Sequence, residues 1–91
     1  MSTTLPDRAT ISATVTACLA TVLEVDATTI SETQLFKEDL NADSLHLVEF
    51  SYEIERIFSE MTGNFTVDDD DLAELKTVGD TIDYVYAALR K

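Results

Sequence analysis

Ser44 and His46, with Asp43 just before them, are the one place where a nucleophile and a base of the common catalytic types stand close together. A serine nucleophile needs a base within hydrogen-bond reach and an oxyanion site. Residues two apart on a helix point about 160° away from each other, and His46 is the only histidine in the chain. A Ser–His pair within one chain is thus excluded on geometry, and intrinsic catalysis is not expected. Ser44 is better placed to receive a group. It stands at the N-terminal edge of a helical pattern, where free backbone N–H groups and the helix dipole favour an anion, so a phosphodiester on its hydroxyl would be well placed. A serine there is otherwise an N-cap, and from position alone the cap is the simpler reading.

Two other groups invite a chemical reading. The run Asp68-Asp69-Asp70-Asp71 suggests a calcium loop, but an EF-hand starting at Asp68 wants glycine where Ala73 stands. The run reads instead as a solvated turn and helix start, with no dedicated metal site. Cys18 is the single cysteine, so no intramolecular disulfide can form and a reducing compartment is expected. It falls within an apolar stripe and reads as a small core side chain, not a reactive thiol.

The elements that must position Ser44 follow from periodicity. After a loose leader over residues 1–6, a helix is expected from Asp7 to Leu23, with Ile11, Val15, Cys18, Leu19 and Val22 on one stripe. A long connection runs from Glu24 to Asp43. Its apolar residues Ile30, Leu35, Phe36 and Leu40 suggest a loop pinned across the helices with a short helical turn of its own. A second helix covers Ser44 to Ser59, a hydrophilic stretch follows, and Leu72 to Leu75 form a short third helix. The last helix starts near Thr77, where Thr77 and Asp80 have capping-box spacing, and it places Val78, Ile82, Val85 and Leu89 on one face. The fold class is therefore all-α, a four-helix bundle in one domain over residues 7–91.

The Ser44 helix carries two apolar stripes. Leu47, Phe50, Ile54, Ile57 and Phe58 group on the side expected to face the core. Leu45, Val48 and Tyr52 group nearly opposite, with His46, Glu49, Glu53 and Arg56 on one flank and Ser44, Ser51 and Glu55 on the other. A domain of four helices cannot easily bury one helix on both sides. The narrower stripe is expected to be exposed, a few apolar anchors ringed by charge, as in a docking surface.

Composition bounds what such a surface meets. Ninety-one residues allow one core and no substrate cleft of ordinary enzyme size. Six basic residues against eighteen acidic ones give a net charge of −12, which repels nucleic acid and anionic membranes and favours basic patches on partners. With no run of transmembrane length and no signal-peptide pattern, a cytoplasmic protein is expected. Monomer is the default for so charged a chain.

The stretch Leu35-Phe36-Lys37-Glu38-Asp39-Leu40-Asn41-Ala42-Asp43-Ser44-Leu45 closely resembles the prosthetic-group site of acyl carrier proteins, Phe-x-x-Asp-Leu-Gly-Ala-Asp-Ser-Leu, and Val48-Glu49 continues it. Thr77-Val78-Gly79-Asp80-Thr81-Ile82-Asp83-Tyr84-Val85 is similar to a second segment of that family. Ile11, Val15, Val25, Ile30 and Phe36 also match in register, so the resemblance covers nearly the whole chain. It implies that a phosphopantetheinyl transferase, using coenzyme A and Mg²⁺, joins 4′-phosphopantetheine to Ser44 through a phosphodiester, with Asp43 and Leu45 beside the site. The thiol of that arm would carry acyl groups as thioesters to enzymes of fatty-acid, polyketide or specialised-lipid synthesis, in a free-standing carrier. Leu45, Val48, Glu49, Tyr52 and Glu55 would then dock partners, and Phe50, Ile54 and Ile82 would line an acyl pocket.

The chain departs from the family pattern in several places. Asn41 replaces the usual glycine but tolerates the same left-handed turn, and His46 and Arg56 stand where acidic residues are common. Ser59 to Thr62 lengthen the loop before the third helix, and Asp68 replaces a frequent proline. Peptidyl carriers show Gly-Gly-x-Ser-Leu, so Ala42-Asp43-Ser44 points to the acyl branch. The rival reading is a non-catalytic helical interaction module with an unmodified Ser44.

Overall fold

Asp7 opens the first helix by accepting a hydrogen bond from the Thr10 N–H at 2.8 Å. The structure, a computed structural model, describes residues 5–90 apart from the side chain of Asp69. The leader expected over residues 1–6 lies outside the described residues except at its end, where the Pro6 carbonyl accepts from Arg90 at 2.6 Å. Helix α1 spans Arg8–Leu23 and buries Ile11, Val15, Cys18 and Leu19 on the expected stripe. It stops at Glu24, whose left-handed φ of 58° lets its N–H reach back to the Ala20 and Thr21 carbonyls. Burial pushes the Cys18 thiol up, as fits a core side chain.

The long connection is tied down along its length, because a loop laid over a core must find partners for its backbone polar groups. A short 3₁₀ turn at Ala27–Thr29 is capped by Asp26. Farther on, the chain zips onto the segment that starts the last helix. The Phe36 N–H donates to the Lys76 carbonyl at 3.0 Å, Val78 to Gln34 at 3.1 Å and Gly79 to Glu32 at 2.8 Å, around an antiparallel bridge between Leu35 and Thr77. Arg8 adds ion pairs to Glu32 and Asp83 at 2.9 and 2.8 Å. Phe36 drops into the core with its ring 5.8 Å from that of Phe50.

Helix α2 spans Ser44–Thr62 and so runs past the expected end at Ser59. Ser59 to Thr62 therefore extend the helix and do not lengthen the loop. Arg56 pairs with Glu60 one turn on, the Thr62 hydroxyl returns to the Phe58 carbonyl, and the stop comes at Gly63, whose φ of 92° suits only glycine without strain. The Ser59 hydroxyl then holds the descending chain, donating to the Phe65 carbonyl at 2.9 Å, and Phe65 packs edge-on against Phe58.

Helix α3 covers Asp69–Glu74, starting earlier than the expected Leu72. The Tyr84 hydroxyl donates to Asp71 at 2.8 Å, so part of the aspartate run fastens α3 to the last helix and is not only a solvated turn. Helix α4, Val78–Leu89, begins with the expected capping box: Asp80 N–H donates to the Thr77 hydroxyl and Thr77 N–H donates to the Asp80 carboxylate. Val78, Ile82 and Val85 are fully buried, and α1 packs against both α2 and α4. Among the described residues the result is the all-α four-helix arrangement with a long first connection and a short third helix.

Candidate functional site

The chain entering Ser44 is folded into a self-closed turn. Asp39 and Leu40 both donate to the Leu35 carbonyl, at 3.0 and 3.1 Å, and the Asp39 carboxylate accepts from the Leu35 N–H at 2.7 Å. Asn41 takes the left-handed conformation, φ 55°, that its replacement of glycine requires. That turn brings the Ala42 N–H to the Phe36 carbonyl at 2.8 Å and buries the small Ala42 side chain. The hydrogen-bonded segment around Phe36 thus sets where α2 begins.

Asp43, and not Ser44, is the N-cap. Its carboxylate accepts from the His46 N–H at 2.9 Å, and His46 Nδ1 accepts in return from the Asp43 N–H at 3.3 Å. This is a capping box with histidine in the place of glutamate. The cap reading of Ser44 is therefore overturned: Ser44 is the first helical residue, is exposed, and its hydroxyl makes no hydrogen bond among the described residues. A hydroxyl without a structural task, at the open N-terminal end of a 19-residue helix, fits attachment of a phosphodiester.

Beside Ser44 opens a cavity of about 570 Å³ between the 35–38 turn, the start of α2 and α3. Leu35, Phe36, Leu47, Val48, Leu72 and Leu75 form its apolar walls, with Lys37, Glu38 and Lys76 among the polar lining. Phe50, Ile54 and Ile82, expected to line an acyl pocket, are fully buried and none of them lines this cavity. Phe50 and Ile54 belong to the broad inner stripe of α2 and Ile82 to the buried face of α4, and all three are part of the hydrophobic core.

The outer stripe is exposed. Leu45 and Tyr52 are 65% and 66% exposed, Val48 is partly so, Glu49 stands in solvent and Glu55 is half-buried. Tyr52 also borders a shallow groove against α1, with Glu24, Glu49 and Glu53 around it. Ser51, expected on a flank, is instead buried and donates to the Val48 carbonyl at 2.8 Å. Among the described residues no three metal-type ligands cluster, and no helix is long and apolar enough to cross a membrane.

Comparison with known proteins agrees with this geometry. The family described as the phosphopantetheine attachment site matches residues 13–85. An acyl carrier protein of Chlamydia caviae is 44% identical over 63 residues, 69% of this chain and 75% of that one. An acyl carrier protein of Porphyromonas gingivalis is 40% identical over 68 residues, 75% and 81% of the two chains. One from Lactobacillus acidophilus is 39% identical, covering 74% of this chain and 78% of its own. The chain belongs to the phosphopantetheine-bearing acyl carrier protein family. That membership weighs against the rival module lacking a prosthetic group.

Proposed function

We propose that Ser44 is the attachment point of 4′-phosphopantetheine and that the chain carries acyl groups between enzymes. The observation that carries this reading is the division of labour at the start of α2, where Asp43 caps the helix and the Ser44 hydroxyl is left exposed. When attached, the arm supplies a terminal thiol that bears the acyl group as a thioester. The residues of the chain do the rest. Asp43 and His46 fix the first turn so that the Ser44 oxygen is presented to a transferase, and the helix end favours the negative charge of the phosphodiester.

Leu45, Val48, Glu49, Tyr52 and Glu55 form the docking face, with apolar anchors for contact and carboxylates that steer basic partners. Leu47, Leu72 and Leu75 shelter an apolar cargo beside Ser44, the role the sequence had suggested for Phe50, Ile54 and Ile82. Intrinsic catalysis is not part of this reading, because His46, two residues along α2 from Ser44, points away from it. The partners are a phosphopantetheinyl transferase and acyl-handling enzymes of fatty-acid, polyketide or specialised-lipid synthesis, met by a cytoplasmic monomer. Incubation with coenzyme A, Mg²⁺ and a broad-specificity transferase tests the reading. The native chain should gain one phosphopantetheine by intact mass and Ser44→Ala none; equal gain in both would sink it.

A further inference from the structure

Cations are scarce in this chain, and most of those described are occupied. Of six, Arg8 pairs with Glu32 and Asp83, and Arg56 with Glu53 and Glu60. Arg90 binds the Pro6 carbonyl and lies over the Tyr86 ring, while Lys91 lies outside the described residues. Lys37 and Lys76 form no ion pair among the described residues, and both line the cavity beside Ser44. The hydrogen bond from Phe36 N–H to the Lys76 carbonyl holds their two segments together. In a protein of charge −12, the lining of one largely apolar cavity includes two lysines and, among the described residues, a single acidic one, Glu38.

An anion placed at this wall gains attraction from both lysines, in competition with Asp80, whose carboxylate is held down by the Thr77 N–H and in part by Lys76. We infer that Lys37 and Lys76 form an anion clamp at this cavity, engaging an anionic oxygen group delivered on Ser44. That group is either the phosphodiester of the arm or a carboxylate at the far end of the acyl cargo. The inference rests on Ser44 as the attachment point. The apolar walls accept the chain of a cargo and the lysines its charged end, so a carrier built this way favours acyl groups that end in a carboxylate when the clamp is used by the cargo. Both lysines are exposed, so the pairing is salt-sensitive and modest in strength.

The test compares the native chain with the Lys37→Gln, Lys76→Gln double variant, checked for folding by circular dichroism. Both are loaded with the bare arm, with a six-carbon acyl group ending in methyl, and with one ending in carboxylate. The readouts are the phosphorus resonance of the bare-arm form and the rate of thioester cleavage by hydroxylamine, corrected by the matching coenzyme A thioesters. If the cargo uses the clamp, the carboxylate-ended group is cleaved about twofold to fivefold more slowly than the methyl-ended one in the native chain, and the double variant loses that difference. If the phosphodiester uses it, the phosphorus resonance moves between native and variant with no cargo present. Unchanged resonance and equal cleavage ratios in a loaded, folded variant overturn the clamp alone. Failure of the native chain to load overturns the Ser44 reading and the clamp with it.

Discussion

Replacing Asp43 separates two roles that the family motif leaves entangled. The carboxylate caps α2 through the His46 N–H at 2.9 Å, and the reciprocal bond to His46 Nδ1 depends on the same geometry. Removing an N-cap side chain costs about 1 kcal/mol, and Asn caps as well as Asp does. Asp43 is largely exposed, so the loss of its charge beside the helix dipole falls at the low end of about 0.3–1 kcal/mol. Asp43→Ala should lower the unfolding midpoint by roughly 4–8 °C for a domain of this size. Asp43→Asn should recover most of that fall. Thermal circular dichroism gives the midpoints, and transferase loading is followed on the same samples. A domain stable by about 5–15 kcal/mol stays folded after a loss of 1, so loading of both variants should persist if the carboxylate only caps. Equal midpoints for Asp43→Ala and the native chain, or an Asn variant as unstable as the Ala one, would refute the capping argument. A loading rate that falls alike in both variants, with the Asn variant stable, would show instead that the transferase reads the charge.

Three further outcomes follow from the packing and the outer face. Tyr52→Ala should weaken transfer to a partner enzyme about tenfold in kcat/KM while leaving the unfolding midpoint almost unchanged, as for an exposed docking anchor; a large fall in midpoint would make Tyr52 structural. Burial, and then its bond to Asp71, push the Tyr84 phenol up to about 12 from an ordinary value of 10.0. The stability linked to this group is full below the ordinary value and is lost as pH rises through the shifted one, so Tyr84→Phe should lose stability less steeply in that alkaline window. A Cβ at Gly79 would meet the Glu32 carbonyl at 3.1 Å. Gly79→Val should therefore cost roughly 1–3 kcal/mol in urea unfolding by prising the loop from α4, and a neutral result would show that the loop yields freely.

Helical spacing made most of the scaffold legible. The stripe of Ile11, Val15, Cys18 and Leu19 placed α1, the Thr77–Asp80 spacing placed the start of α4, and Asn41 announced its left-handed turn. The end of α2 is not legible because Ser59 to Thr62 hold one apolar residue, the exposed Met61, and so continue no buried stripe, although Gly63 is the kind of residue that ends a helix. Asp43 was missed as the cap because the usual pattern has Ser or Thr followed by Glu or Gln, whereas here Asp and His serve. The cavity depends on tertiary closure. Only when Leu35 is bridged to Thr77 do the 35–38 turn and the 72–76 segment come to face the start of α2. Apolar type alone did not separate Phe50 and Ile54, spent in the core, from Leu47 on the cavity wall.

The most direct measurement maps the modification to a residue. The native chain is incubated with coenzyme A, Mg²⁺ and transferase, then digested, and its peptides are fragmented in the mass spectrometer. The account predicts one phosphopantetheine, on the peptide containing Ser44, with Ser12, Ser31, Ser51 and Ser59 unmodified. An arm on any other serine, or none on a chain shown to be folded, would contradict it.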